Sequence, residues 1–408
     1  MNLRNIPIIL FLFAQQTFFV YAQTANSLYE SGLSKFKQND LSGAIAEFTK
    51  CIEKNAIFYE AYIGRGDCYH AQKKFNEAIK DYTKALEVYP GYYLAYIKRA
   101  NTYSLAGDNK KAYSDYAKAI ELKNDKEEAY LCRAQFYVKN NELKPALNDL
   151  NMALGINGEN PETYFQRSMI FEMQKKDKEA IDDLNKVAGL KPGFTEAYYR
   201  RGLLYEKSKN YQAAAADFKK ATEQNFRTKE IYLHKSEASF KSDNWSEAIE
   251  DYNVLFNNYQ VKNSGLFFNR GICFYKTGRL TEALKDFSKA SQLDPKNDTA
   301  YVWIATIYNE QKNIRNAQLY YNKAISVQPG NYSAYAGRAQ TFSEQKKFEQ
   351  AIQDWNHAIK YVPEPEWYFQ RSLCKEAIND IKGMCEDLKS SSDLGYKKAT
   401  QKYNSCCK

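Results

Sequence analysis

Between Tyr59 and Tyr92 the chain reads YEAYIGRGDCYHAQKKFNEAIKDYTKALEVYPGY, and its apolar and small positions fall on two helical faces. Tyr62, Gly66 and Tyr69 stand at i, i+4 and i+7, and Ala78, Tyr82 and Ala85 repeat that spacing further on. The polar stretch around Lys73 and Lys74 leaves room only for a tight connection, which predicts an antiparallel helical hairpin. Pro90 and Gly91 are expected to end the second helix, proline because it lacks the amide hydrogen and glycine by taking left-handed geometry. Gly66 and Ala78 sit where the helix axes cross, and small side chains there let the axes approach to roughly 8–10 Å.

Both small slots recur along the chain. Stepping by 34 residues, the first reads Gly32, Gly66, Ala100, Ala134, Ser168, Gly202 and Ser236, then, after one extra residue near Asn263, Gly271, Ala305 and Ala339, and, one residue short in the last step, Ser372. The second reads Ala44, Ala78, Ala112, Ala146, Ala180, Ala214, Ala248, Ala283, Ala317 and Ala351, and only Met384 in the last copy is large.

A period of 34 with small residues at these slots, an aromatic before the first, an aromatic after the second and a closing proline resembles the tetratricopeptide repeat. Eleven copies in register span residues 25–58, 59–92, 93–126, 127–160, 161–194, 195–228, 229–262, 264–297, 298–331, 332–364 and 365–398. The resemblance implies an all-α, right-handed superhelical solenoid of antiparallel helix hairpins. Its concave face, lined mostly by the first helix of each hairpin, would hold a protein or peptide. A repeat array is one quasi-linear unit, so no internal domain boundary is expected. The aromatic slots account for the 34 tyrosines and 23 phenylalanines.

The two ends differ from the repeats. Arg4 precedes an apolar run from Ile6 to Tyr21, and Val20, Tyr21 and Ala22 suit signal-peptidase cleavage, so residues 1–22 are expected to be a signal peptide and the mature chain exported, periplasmic or extracellular, without a stable membrane span. Copy one is worn, with Ser31 in the basic slot and Lys35 in an aromatic one. Residues 395–408 are expected to form a polar capping helix, as a solenoid end requires.

Just before the first small slot stands a basic residue, and sixteen positions later an acidic one: Arg65 with Asp81, Arg99 with Asp115, Arg133 with Asp149, Arg167 with Asp183, Arg201 with Asp217. Lys235 with Asp251, Arg270 with Asp286, Arg338 with Asp354 and Arg371 with Asp387 continue the series. Copy nine has Ile304 and Tyr320 instead; because both charges vanish together, pairing is expected within a repeat. These arginines are therefore assigned to structural ion pairs and not to phosphate binding. With them accounted for, the formal net charge of +9 is spread with no lysine–arginine run longer than two, and no nucleic-acid partner is expected.

What the resemblance implies for the groove maps onto Phe165, Met169 and Met173; Tyr199 and Leu203; Leu233 and Phe240; and Phe268, Ile272 and Tyr275. Glu172, Glu196, Glu206, Glu230 and Glu237 would edge this trough, with Lys207, Lys241 and Lys276, suiting a helix or extended peptide with apolar anchors and some positive charge. These aromatics could equally do no more than pack neighbouring helices. Ile63, Ile97, Leu131, Phe165 and Tyr199 stand where carboxylate-clamp members of the family carry a lysine, which argues against a chaperone-tail receptor.

No catalytic chemistry stands out. His70, His234 and His357 lie in separate repeats without metal-ligand spacing, and no phosphate loop or nucleophile elbow occurs, so no enzyme activity, metal or cofactor is expected. Cys51, Cys68, Cys132, Cys273 and Cys374 read as buried packing residues. Cys385, Cys406 and Cys407 cluster near the end; a disulfide from Cys385 to either of the others would pin the last helix, and free thiols remain the alternative. The function expected is a non-enzymatic exported scaffold for protein–protein interaction, in a cell-envelope or secretion assembly. The alternatives are a periplasmic spacer acting through its convex face and ends, and a glycan-binding solenoid.

Overall fold

The computed structural model describes residues 24–407, so the expected signal peptide at 1–22 lies outside the described residues. Among the described residues all regular structure is helical. The chain divides into two compact units, Met1–Ala197 and Tyr198–Lys408, and the division falls inside the helix Thr195–Lys207. Nothing in the repeat pattern marks that point, because the slots run through it unchanged.

The first unit holds copies one to five. Its hairpins pair helix 24–37 with Leu41–Lys54, Tyr59–Ala71 with Phe75–Val88, Tyr93–Leu105 with Asn109–Leu122, Glu127–Lys139 with Leu143–Ile156, and Pro161–Met173 with Asp177–Leu190. Helices of this length bury one stripe, and each copy leaves part of that stripe for its neighbour. One core therefore runs from Ile97 and Tyr116 through Phe136 and Leu150 to Ile170, across copies three to five.

In the second unit, Tyr211–Glu223 completes copy six, and Lys229–Lys241 with Trp245–Asn257 and Ser264–Lys276 with Leu280–Leu293 form copies seven and eight. Asp298–Glu310 with Ile314–Val327, Tyr332–Glu344 with Phe348–Tyr361, and Pro365–Ala377 with Ile381–Asp393 complete the array. Tyr252, Leu255, Cys273, Phe287 and Ile304 carry a continuous core through copies seven to nine.

The slots explain the hairpin. All ten alanines of the second slot are fully buried. At Gly66 an added Cβ would lie 2.8 Å from Tyr82 Cε1, so the ring four residues beyond the second slot is what occupies the first. Gly202 and Gly271 stand in the same relation to Phe218 and Phe287.

The left-handed residue is not where the sequence placed it. Gly91 lacks a positive φ; the preceding helix stops at Val88 with Tyr89 extended (φ −130°, ψ 86°) ahead of Pro90. The left-handed position lies inside each hairpin, at Lys73 (φ 58°) in copy two. Lys74 N–H donates to Tyr69 O at 2.8 Å and Lys73 N–H to His70 O at 2.9 Å, the two bonds of a Schellman cap. Asn39, Gly107, Asn141 and Lys175 repeat this turn in the first unit, and Lys209, Asp243, Gly278, Lys312, Lys346 and Asn379 in the second.

Copy seven absorbs the extra residue. Its second helix ends at Asn257, Gln260 takes a left-handed conformation (φ 50°), and Tyr259 Oη donates to Arg227 O at 2.7 Å to fasten the proline-free link. At the chain end, Lys397–Cys406 forms a helix whose buried Ala399 meets Met384 and Leu388. Cys385 is bonded to Cys407 with their Cα atoms 5.6 Å apart, and Cys406 is a free, exposed thiol.

Candidate functional site

The basic slot residues sit on the first helix of each hairpin, facing the second. Arg65 Nε and Nη2 donate to Asp81 Oδ2 and Oδ1, both at 2.8 Å. The same two-pronged bond joins Arg99 to Asp115, Arg133 to Asp149, Arg167 to Asp183 and Arg201 to Asp217. Arg270, Arg338 and Arg371 bond Asp286, Asp354 and Asp387 alike. The carboxylates are buried, and the rings three residues before and four after frame the guanidinium, as Tyr96 and Tyr103 do for Arg99 at 5.5 and 6.0 Å.

A second set of partners was not read from the sequence. Arg65 Nη1 donates to Thr49 Oγ1 at 3.1 Å and Arg99 Nη1 to Thr83 Oγ1 at 3.0 Å, each an acceptor on the preceding repeat. Asn151, Asn253, Asn322 and Asn356 serve Arg167, Arg270, Arg338 and Arg371. Every guanidinium so placed ties its own hairpin to the one before. The signal was present: threonine or asparagine stands two residues after the acidic slot. Where Ala117 takes that position, Arg133 bonds Asp149 alone.

Copy nine replaces its ion pair with packing. Ile304 is buried, and the Tyr320 ring stacks with Tyr301 and Tyr308 at 6.3 and 5.7 Å. Lys323 Nζ lies 4.7 Å from the centre of that ring.

The ten residues expected to line a groove part company. In the first unit, Phe165 and Met169 line an open cavity of about 350 Å³ with Val138 and Ile170, rimmed by Gln135, Lys139, Glu162 and Gln166. Phe165 also packs on Phe194, 4.7 Å between ring centres, and Met173 is 55% exposed. In the second unit Tyr199 is enclosed by Phe218, Phe226 and His234, with ring centres 5.0–6.4 Å away, and Leu203 is half-buried. Leu233, Phe240, Phe268, Ile272 and Tyr275 all pack against the core of copies seven to nine. Ring packing within the array uses the same residue types as a docking surface would, and at Tyr199 and Phe268 tilted or edge-on contacts with neighbouring rings take the side chain. Tyr275 also lines a cavity of about 600 Å³ with Asp298, Trp303 and Tyr332, which the sequence did not signal.

The titratable groups are tied up by packing. Burial pushes the Cys51 and Cys132 thiols up to about 11 and those of Cys68 and Cys273 up to about 12, which keeps them protonated and unreactive. His70 Nδ1 lies 2.8 Å from Thr102 Oγ1, and burial lowers its pKa. His234 Nδ1 lies 2.7 Å from Glu206 Oε2, and that bond raises it. His357 stacks on Tyr335 at 4.7 Å. Among the described residues no group of three or more His, Cys, Asp or Glu is placed to hold a metal, and no helix is long and apolar enough to cross a membrane.

No curated protein matches the chain. Among solved structures it is similar to MamA (28% identity, over 39% of this chain and 94% of that one, TM-score 0.36). It is also similar to YrrB, described as a TPR protein with an unusual peptide-binding site (26% identity, 47% and 97% covered, TM-score 0.37). It is similar in fold to yeast Tom70, 16% identical over 94% of this chain and 96% of that one, with a TM-score of 0.38. Models of the tetratricopeptide repeat match residues 59–92, 93–126, 195–226, 266–297 and 298–331, five of the copies delimited by the small slots. With those matches set on hairpins that share one slot pattern and one capping turn, the chain is a tetratricopeptide repeat protein.

Proposed function

We propose that the chain is a non-enzymatic, exported scaffold that binds a protein or peptide partner along the first helices of copies four and five. The observation that carries this is the open cavity lined by Val138, Phe165, Met169 and Ile170 and rimmed by Gln135, Lys139, Glu162 and Gln166. An apolar floor with polar edges takes one apolar anchor of a partner and hydrogen-bonds the chain on either side of it. Met173, exposed one helical turn beyond Met169, extends the apolar surface. Export is supported by the apolar run after Arg4 and by the disulfide between Cys385 and Cys407, a bond that persists in oxidising compartments. A role in an envelope or secretion assembly is the setting that fits both.

The test places a photo-crosslinking residue at Met169 in the native cell, with Met152, 54% exposed on a second helix of the same unit, as the control position. A partner captured at Met169 but not at Met152, and lost when Met173→Glu is added, supports the groove. Equal capture from both positions would point to the convex face and overturn it.

A further inference from the structure

The first helix of copy nine, Asp298–Glu310, contains two carboxylates and no lysine or arginine. Asp298 Oδ2 accepts from Asn331 Nδ2 at 2.6 Å, and Glu310 accepts the hydroxyl of Tyr275. Among the described residues no basic side chain pairs with either, although nine carboxylates elsewhere in the array are matched by a basic residue in the same repeat. Copy nine carries Ile304 and Tyr320 in place of the ion pair, and its own basic residues, Lys312, Arg315 and Lys323, form no salt bridge with Asp298 or Glu310.

That charge borders an aromatic cavity. The space of about 600 Å³ is lined by Tyr275, Trp303 and Tyr332, with Thr306 and Asn331 beside them, and Asp298 is the one charged residue in its wall. Trp303 is fixed before any ligand arrives: Tyr275 meets it edge-on at 4.9 Å, and Phe287 lies nearly parallel at 5.8 Å. Thr306 Oγ1 donates to Val302 O at 2.9 Å, lies 3.5 Å from the Tyr321 hydroxyl as acceptor, and keeps one lone pair to accept from an N–H. An unneutralised carboxylate among ring quadrupoles, with neutral acceptors at hand, is the chemistry that selects an organic cation.

We propose that this cavity receives the charged side chain, arginine or lysine, of a basic segment in a partner protein. The site lies in the second unit and its selectivity is for charge, so it stands whether or not the apolar groove of copies four and five is used.

The probe is the peptide acetyl-Gly-Ala-Arg-Ala-Gly-amide, titrated calorimetrically into the full chain at low ionic strength beside its citrulline counterpart, which has the same shape without the charge. The arginine peptide should bind roughly tenfold more tightly, the ratio expected when a cation–π and carboxylate contact is gained. Asp298→Asn should erase that difference, exposed Glu310→Gln should reduce it, and Met152→Gln, on an exposed second-helix position away from both cavities, should leave it unchanged. Thermal unfolding by circular dichroism establishes that each variant is folded, and Glu310→Gln carries the test if Asp298→Asn is not. Equal binding of the two peptides, no binding of either, or tighter binding of the neutral sugar chitotriose would overturn the proposal.

Discussion

Lys235 Nζ reaches one oxygen of Asp251, Oδ1 at 2.8 Å, and leaves Oδ2 buried without a hydrogen bond. Arginine at the same position in the other paired copies bonds both oxygens. Lys235→Arg should therefore stabilise the second unit by about 1–3 kcal/mol, the range for satisfying a buried charged acceptor. Urea unfolding measures it, and an unchanged or lowered midpoint would show that the unpaired oxygen costs nothing.

The same pair sets a pH dependence. Burial pushes the Asp251 carboxyl up from 3.8 to about 6, with Lys235 opposing the shift and Glu247 and Glu250 adding to it. A carboxyl raised in the folded state binds its proton there first, so its contribution to stability falls as pH rises from about 4 to about 6. His234, raised by Glu206, contributes stability that is full below its unfolded value of 6.5 and is lost as pH rises through the folded one. Both effects favour mild acid, whereas His70, lowered by burial, costs stability as pH falls below 6.5, so the two assignments are read as differences between parent and variants. Between pH 8 and pH 5 the urea midpoint of the parent should gain on that of Glu206→Gln in the upper part of the window and on that of Lys235→Arg in the lower part; parallel profiles contradict both assignments.

Arg167→Ala strands Asp183, whose side chain is 6% exposed while that of Arg167 is 21% exposed. Breaking a fully buried pair costs about 3–5 kcal/mol, and the partly wet arginine lowers that to about 2–4. Replacing both partners, Arg167→Met with Asp183→Leu, should recover most of the loss because no lone charge is left behind. Thermal unfolding of the single and double variants reads this out. A single variant as stable as the parent, yet impaired in partner binding, would return the arginine to a binding role.

Cys407→Ser should loosen the terminal helix without unfolding the array. Closing a loop of this span contributes about 3 kcal/mol in the chain-entropy account. The helix itself buries only Ala399 fully. Hydrogen exchange should rise across Lys397–Cys406 and stay unchanged in copies eight and nine. Cys406 should react with a maleimide in the folded, unreduced protein, and Cys51, Cys68 and Cys273 only after unfolding. Labelling of Cys407 in place of Cys406 would show that the other pairing forms.

How far the sequence carried depended on what each position has to do. The small slots were legible because close crossing of two helix axes favours Gly, Ala or Ser, which restricts residue type in every copy but the last, where Met384 takes the second slot. The ion pairs were legible for the same reason, and the joint loss at Ile304 and Tyr320 told which partners belong together. The left-handed turn was misplaced because a Schellman position accepts lysine, asparagine, aspartate or glycine, and Lys73 looks like any surface residue. Gly91 drew attention by type while its backbone needed nothing special. Thr83 and Asn151 stood in plain periodicity but are polar residues on a helix surface until an arginine from the next repeat is seen to reach them. The groove was the least legible, since Tyr199, enclosed by three rings, and Phe165, which lines a cavity, are the same kind of residue at the same repeat position.

Arginine joins hairpin to hairpin at Thr49, Thr83, Asn151, Asn253, Asn322 and Asn356, but copies eight and nine meet through Phe287, Trp303 and Tyr275. Those two kinds of seam answer to different solvents. A kosmotropic salt such as sulfate strengthens burial of rings while screening the partly exposed guanidinium groups, whereas cooling weakens burial and spares the hydrogen bonds. In a linear array that comes apart at its weakest junction, the break should fall on arginine seams in concentrated salt and move to the seam at Trp303 near freezing.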